Sequence, residues 1–546
     1  MRPRDFQAVP PDAPVQDPLG VGYLAAALRR RSFDVVVVDA HALSLDDQGI
    51  VACLKELRPS VVGISLHAFS DYEHCVTISR GIFSMEERPF CVWGGEHATF
   101  HAERILRQHR EVDAVVLGEG EITLSELVER ELKIRSSSFQ KATTGEAVSG
   151  AVLRGADGHP VHGGFRESVA DLDQLPDPHK DVVELALNSN KPVTVSLLTG
   201  RGCTHRCRFC TAHDFLRLGG GAVWRRRSPR AVADELQRLA ATYLQNELVH
   251  PVVQFQDVIF LGTSPAARRW VHEYVEELET RNLKIPFYCM TRADSIIANE
   301  DLLPRLVSVG LWSVEVGIES GVDRILASYN KLNSAADNEV AVKLLRKHGI
   351  TYDASGYIMF DPSMSLDELR ANATYLERFG AATWDFFVTR LQLYPGTALR
   401  EEMIQKGLFD GADEIGRTSG YEFSDRRVGL VAEKAYYYHP SIRTLDLALR
   451  DAKAALAHAV RAGRNIQNHP LARAVELVHK TYCRHLLDLI DLAEAGRIER
   501  ANAELIAEFL ERVQKLTELL RELTPLKRGP SSFAFKDQNR PQLTTA

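Results

Sequence analysis

Cysteine is scarce here, with eight residues in 546, and five of them (Cys53, Cys75, Cys91, Cys289 and Cys483) stand alone among apolar neighbours. Isolated thiols of that kind behave as small buried hydrophobes, and their pattern suits a reducing compartment rather than a disulfide scaffold. No apolar run approaches the roughly 18 residues that a membrane helix needs. No N-terminal stretch has the charged, apolar and small-residue order of a signal peptide, so a cytoplasmic protein without membrane attachment is expected. Basic excess is missing too: 66 Lys and Arg stand against 73 Asp and Glu, a net charge of −7, which argues against nucleic acid as a partner. The run Arg225-Arg226-Arg227 is short, and a solvated or ion-paired face is favoured over an anion site. No internal repeat exists beyond an alternation of strand and helix signals.

What is present suits a globular α/β chain, 45% hydrophobic and 25% charged. At this length two or three domains are expected. Over residues 1–135, continuous apolar runs at Val35–Val38, Val61–Leu66, Phe90–Trp93 and Ala114–Leu117 leave room for helices between them. They read as buried parallel strands of a doubly wound, Rossmann-like sheet. A further strand is expected before Gly20, where only Phe6–Val9 is available. Residues 136–190, with a Ser run at 136–138 and a hairpin signal around Gly155–Pro160, read as a linker with a small β element.

From 191 to 430 a second series begins, with apolar runs at Val193–Leu198, Val252–Phe255, Pro286–Met290, Ser313–Ile318, Ser355–Phe360 and Phe386–Tyr394. Ser228-Pro229 and Ser264-Pro265 each place a capping hydroxyl before a first-turn proline, and Ser365 with Glu368 forms a capping box. Six β/α units predict a parallel sheet curving into a partial (β/α)6 barrel. Over 431–524 three helical stripes follow: Leu445, Leu449, Ala452, Leu456; then Val475, Val478, Tyr482, Leu486, Leu489; then Ile506, Phe509, Val513, Leu516, Leu520. They predict a helical cap, and 525–546 is a polar tail.

Three cysteines do cluster. Cys203-Thr-His-Arg-Cys207-Arg-Phe-Cys210 follows directly on the strand ending at Leu198. Three thiolates this close can ligate three irons of a cubane and leave the fourth open. A zinc site wants a fourth protein ligand, for which His205 is the candidate, but no second Cys pair lies downstream.

This CxxxCx-aromatic-C loop at the end of the first strand of a β/α series resembles the signature of the radical S-adenosylmethionine superfamily. Later segments follow in order: Gln256-Asp257 after the second strand, Arg292 in MTRAD after the third, Val316-Gly-Ile-Glu319-Ser320-Gly after the fourth, Tyr357-Ile-Met-Phe-Asp361-Pro and Tyr394-Pro-Gly396-Thr397 after the fifth and sixth. The resemblance implies a 4Fe-4S cluster on Cys203, Cys207 and Cys210. It also implies an S-adenosylmethionine site drawing on Phe209, Gln256, Asp257, Arg292, Glu319, Ser320 and Tyr357. Cleavage of the nucleotide's C–S bond would give a 5′-deoxyadenosyl radical that abstracts hydrogen from a substrate.

Pro18-Leu-Gly20-Val-Gly22, Gly94-Gly95-Glu-His97 and Gly118-Glu119-Gly120-Glu121 resemble the cobalamin-binding domain that precedes the barrel in one radical subfamily. The implied corrinoid contacts are Gly20, Gly22, Ser65, His67, Gly94, Gly95, His97, Gly118, Glu119 and Gly120. DxHxxG, whose histidine ligates cobalt, is missing, and Asp39-Ala-His41 is its nearest fragment. Cobalamin without a histidine ligand to cobalt is therefore expected, the group beneath the metal coming from the loop near His67 or Phe69.

The two halves together imply methylation of an unactivated carbon (or phosphorus) of a small, secondary metabolite. A second S-adenosylmethionine would restore the methyl group carried by cobalamin. Rearrangement, cyclisation or ring contraction with the same cofactors is an alternative, and so is non-radical methyl transfer. A non-catalytic iron–sulfur or corrinoid sensor or carrier is an alternative from another class. A monomer reduced by an electron donor such as flavodoxin or ferredoxin is expected. Tyr436-Tyr437-Tyr438-His439 reads first as a packed aromatic patch and second as a substrate-facing segment. No catalytic residue is assigned.

Overall fold

The computed structural model describes residues 13–524 apart from 68, 137–146, 355, 381–382, 412–414, 416–417, 438, 462–465, 467–468 and 499–502. Phe6–Val9, Ser137, Ser138, Tyr438 and the polar tail from 525 lie outside the described residues, as do the side chains of Phe69, Tyr437 and His439.

The first sheet contains β1 (Val61–Ser65), β2 (Phe90–Gly94) and β3 (Ala114–Val116), then the hairpin β4 (Ala151–Arg154) and β5 (Pro160–His162), in the spatial order β1-β2-β3-β4-β5. The first three strands are parallel, with Ser65 opposite Gly94, so their carboxyl ends lie level. The hairpin assigned to a linker hydrogen-bonds antiparallel onto β3 and widens this sheet. Val35–Val38 departs from expectation: it joins no ladder among the described residues, and Val36 is 60% exposed. Val38 is buried and Val37 packs on the core of the second sheet, so the apolar composition reflects packing without a ladder.

The second sheet is formed by β6 (Ser196–Leu197), β9 (Val253–Phe255), β10 (Phe287–Arg292), β11 (Leu311–Gly317) and β12 (Thr351–Asp353), all parallel, while β7 (Gly200–Gly202) and β8 (Trp224–Arg226) pair as a separate ribbon. Ser228, Ser264 and Ser365 cap their helices as expected, the last within a capping box with Glu368. The sixth unit differs. Trp384–Val388 is a turn of helix, and the run meets the barrel beyond it, through the Phe360–Arg390 bridge and the flanking hydrogen bonds of Thr389 and Leu391. Trp384, Phe387 and Val388 are all buried, at helical spacing, because this turn packs against the helical cap. The fifth unit likewise pairs earlier than expected, at Thr351–Asp353 instead of Ser355–Phe360.

Four helices, Arg426–Tyr437, His439–Arg461, Pro470–Glu494 and Ala503–Leu523, follow the barrel. Leu445, Leu449, Tyr482, Leu486 and Leu520 are fully buried and join the barrel residues in one apolar core. Among the described residues no helix is long and apolar enough to cross a membrane.

Candidate active site

Cys203, Cys207 and Cys210 sit on the loop between β7 and the helix Thr211–Phe215. All three are free and partly accessible, whereas Cys75, Cys91, Cys289 and Cys483 are buried. Asp257, just beyond β9, holds the start of this loop: its carboxylate accepts from the Thr199 and Gly200 amides, at 3.0 and 2.6 Å, and from the Thr199 hydroxyl at 2.9 Å. Burial pushes that carboxyl up to about 6 against the pull of Arg226 and these donors. Burial likewise pushes the Cys210 thiol up to about 12.

No three His, Cys, Asp or Glu side chains converge on a point that one ion could occupy, among the described residues. A cubane takes each thiolate on a different iron, and Cys203, Cys207 and Cys210 lie together on one short loop. Arg292, at the end of β10, directs a guanidinium N–H at the Cys207 sulfur, 3.5 Å away, and is held by Asp294. Glu319 follows β11 with φ of +60° and pairs with the buried Lys331 at 2.6 Å, whose ammonium also donates to the Gly317 carbonyl. A non-glycine residue held in the left-handed region is uncommon and concentrates at ligand sites. Arg292 and Glu319 thus stand at the ends of β10 and β11, the Arg292 fork held by Asp294 and the Glu319 carboxylate by Lys331. Lys331 was not singled out from the sequence, because nothing local marks a lysine just beyond a short helix.

The other residues expected at the nucleotide have partners within the protein. Asp257 is 1% exposed and committed to the loop backbone. The Ser320 hydroxyl donates to Asn372, and Tyr357 does the same from the fifth unit, so both hydroxyls meet at that asparagine. Gln256 is accessible and donates to Ser196 and to the Asp17 carbonyl. The Phe209 ring packs edge-on against Tyr329, which in turn donates to Asp361.

The carboxyl ends of β1 to β3 carry most of the expected corrinoid contacts. Ser65 and the exposed His67 lie at the first, and Gly94 and Gly95 at the second. Gly95 has φ of +103°, and a side chain there would meet the Leu66 carbonyl oxygen at 2.7 Å. Gly118 has φ of +65° with open space before it, so this end of β3 can receive a bulky group. Gly120 backs onto Leu24, and Gly20, on the first helix, also faces open space. His97 is buried beside His101, ring centroids 4.8 Å apart; burial and then Arg400 lower its pKa to about 4. His41 is buried where helix Ala40–Leu43 meets helix Asp181–Asn188. Gly22 and Glu119 also have contacts within the protein. Gly22 serves chain packing, since a side chain there would strike the His179 carbonyl oxygen at 2.5 Å. The Glu119 carboxylate is taken up by Arg225 and Arg201, leaving its backbone for a ligand.

That ion pair belongs to the seam between the two sheets. Arg201 also bonds Glu121 at 2.6 Å, and Glu96, in the Gly-Gly-Glu-His turn, accepts from the Thr211 hydroxyl next to Cys210. Phe100 packs against Phe215 and under Gly396. A small pocket of about 10 Å³ lies here between Gly118 and Glu119 on one side and Phe215 and Gly219 on the other. Burial raises the Glu96 carboxyl to about 7. The arginine run is ion-paired but not solvated: Arg225 and Arg227 are buried on carboxylates, and Arg226 lies between Trp224 and Trp270.

Residues 13–128 match the B12 binding domain family, and residues 197–376 match the radical SAM superfamily. An uncharacterized methyltransferase of Pyrococcus horikoshii, PH0819, is 27% identical over 448 residues, covering 79% of this chain and 90% of its own. An anaerobic magnesium-protoporphyrin IX monomethyl ester cyclase of Rubrivivax gelatinosus is 29% identical over 345 residues, 62% of this chain and 58% of its own, so the chain spans little more than half of that relative. Among solved structures, the cobalamin-dependent S-adenosylmethionine radical enzyme OxsB with aqua-cobalamin bound shares the fold, with a TM-score of 0.72 at 18% identity over 95% of this chain and 79% of its own. The chain joins a B12-binding domain to a radical S-adenosylmethionine domain, and so belongs to the cobalamin-dependent radical S-adenosylmethionine enzymes, with a 4Fe-4S cluster, S-adenosylmethionine and cobalamin as cofactors.

Proposed function

We propose that this enzyme methylates an unactivated carbon of a small metabolite. One observation carries the reading: the glycine turns of the first sheet and the cysteine loop of the second are fastened to each other, Glu96 to Thr211 and Phe100 to Phe215, so two cofactor sites share one seam. The likeness to PH0819, named a methyltransferase, supports it across most of both chains. When bound, the cluster and S-adenosylmethionine supply a 5′-deoxyadenosyl radical and cobalamin supplies the methyl group.

Cys203, Cys207 and Cys210 hold the cluster in this proposal, and Arg292 with the Glu319–Lys331 pair receives the polar end of S-adenosylmethionine. Gly94, Gly95 and Gly118 let the corrinoid approach the backbone, with no histidine beneath cobalt. His97, which burial keeps neutral, lines the corrinoid site instead. The chain works as a cytoplasmic monomer reduced by a flavodoxin or ferredoxin. The relatives are named as enzymes, which sets the sensor or carrier aside.

A second reading, cyclisation without methyl transfer, is favoured by the likeness to the ester cyclase. Methyl-deuterated S-adenosylmethionine separates the two. Methylation predicts label in the product, with both 5′-deoxyadenosine and S-adenosylhomocysteine formed. Unlabelled product with 5′-deoxyadenosine alone would establish cyclisation, and label without 5′-deoxyadenosine would establish a non-radical transfer.

A further inference from the structure

Successive residues of a strand face opposite sides of the sheet, and the second sheet uses that alternation unevenly. Phe255, Phe287, Cys289, Val314 and Val316 point to the helices and are fully buried. The opposite face is left accessible at Gln254, Tyr288, Met290, Ser313 and Glu315, and most of all at Asp353, the last residue of the edge strand β12. This concave face is an open lumen lined with polar groups. Glu315 lies two residues below Gly317, which is level with Arg292, so about 7 Å separates it from the plane of the proposed S-adenosylmethionine site.

Within the lumen Tyr288, Glu315 and Asp353 stand together, and Lys453 lies within electrostatic reach of Asp353. The Tyr288 hydroxyl donates to one oxygen of Glu315. Asp353 is the direct cross-strand neighbour of Glu315, so the two carboxyls stand about 5 Å apart at Cβ. Lys453, from the cap helix His439–Arg461, feels Asp353 and Asp446 most strongly among charged groups, and burial lowers its ammonium to about 8. Its placement follows from packing: Asp446, two turns earlier on the same helix face, accepts from the Tyr482 hydroxyl at 2.9 Å, which fixes that face against helix Pro470–Glu494. His479, one turn from Tyr482, is 4% exposed beside Lys453, and its Nε2 has no hydrogen-bond partner among the described residues. The neighbouring Arg450 is committed to Asp385 at 3.0 Å.

The lumen therefore holds two carboxyls against one ammonium. Glu315 keeps one oxygen unengaged by Tyr288. A ligand with a carboxylate or phosphate would be repelled. A protonated amine would donate to both carboxyls and bring the local charge to balance, as a group leaving water requires. We propose that Glu315 and Asp353, framed by Tyr288 and Lys453, recognise an amino group on the substrate. This rests on the methylation reading above, with one end of the substrate reaching from the shared seam into the lumen.

The test uses anaerobically reconstituted holoenzyme and two matched probe pairs, cadaverine against 1,5-pentanediol and glucosamine against glucose, followed by calorimetric titration. Each amine is expected to bind about ten-fold more tightly than its hydroxyl match, as loss of a charged hydrogen bond predicts. E315Q/D353N should erase that preference while iron content stays unchanged. K453M removes the competing ammonium and should tighten amine binding, an effect that misfolding cannot imitate. Equal binding within each pair, binding of neither amine at millimolar concentration, or a preference surviving E315Q/D353N would each overturn the assignment. Formation of 5′-deoxyadenosine by the dithionite-reduced enzyme is followed in parallel. Its absence would count against the radical reading, whereas its presence with no amine preference would remove only the lumen assignment.

Discussion

Gly95 shows how a single residue can set the distance between two loops. Its φ is +103°, and the Leu66 carbonyl oxygen lies 2.7 Å from where a Cβ would stand, which leaves no room for a side chain. Gly95→Ala should therefore cost about 1–3 kcal/mol, read as a fall in thermal midpoint, and should weaken corrinoid retention before it affects iron. Asp257 makes the complementary case on the cluster side. Asp257→Ala leaves two backbone amides and the Thr199 hydroxyl unpaired in a buried site, at about 1–3 kcal/mol for each group so abandoned. Reduced iron content at unchanged corrinoid retention is the expected result. Glu96 gives a pH signature. Its carboxyl is raised to about 7 in the folded protein, so between the ordinary range near 4.3 and about 7 the native state binds more protons than the unfolded one, and stability falls as pH rises. Glu96→Gln should abolish that decline, measured as thermal midpoint against pH from 4 to 8.

At the scale of elements, legibility followed the physics of each signal. Caps are local: Ser228, Ser264 and the Ser365–Glu368 box name their helices because a hydroxyl and the amide it satisfies are three residues apart. Ser365→Ala is expected to lower stability by about 1 kcal/mol without changing iron content, measured by denaturant titration. The cysteine loop was equally plain, since its spacing and its place after a strand both lie within a dozen residues. Composition misled where the partner was distant. Phe386–Tyr394 is apolar enough for a strand, yet Trp384–Val388 coils because the cap offers a surface for residues at helical spacing. Val35–Val38 is β-branched throughout but has no ladder among the described residues. Side-chain direction was the least legible property. Ser320 and Tyr357 sit at strand ends as the resemblance implies, and Asn372, on a helix far along the chain, accepts from both hydroxyls. Glu315 and Asp353 went unnoticed for the same reason: only the register of β11 with β12 makes them neighbours.

The whole molecule depends on one charged seam. Glu119 from the first sheet meets Arg201 and Arg225 from the β7–β8 ribbon, and Glu121 shares Arg201. Burial alone would raise the Glu119 carboxyl, but the two arginines outweigh it and hold the group below its ordinary value. Its stabilising contribution is then complete above the unfolded carboxyl range and is lost as pH falls through the depressed folded value, opposite in sign to Glu96. Breaking a buried pair by removing one partner leaves uncompensated charge, at about 3–5 kcal/mol. Glu119→Ala strands Arg225, which would keep only the Val169 carbonyl, while Arg201 retains Glu121. Because neither arginine touches the cysteines, the radical domain should still take up its full complement of iron. The two halves would instead lose their fixed approach. The expected outcome is a lower thermal midpoint, loss of corrinoid on gel filtration, and 5′-deoxyadenosine formation that continues without S-adenosylhomocysteine. Glu119→Gln, which keeps an acceptor for one arginine, should fall between. Wild-type corrinoid retention in Glu119→Ala would show that Glu96–Thr211 and the Phe100–Phe215 contact hold the seam on their own.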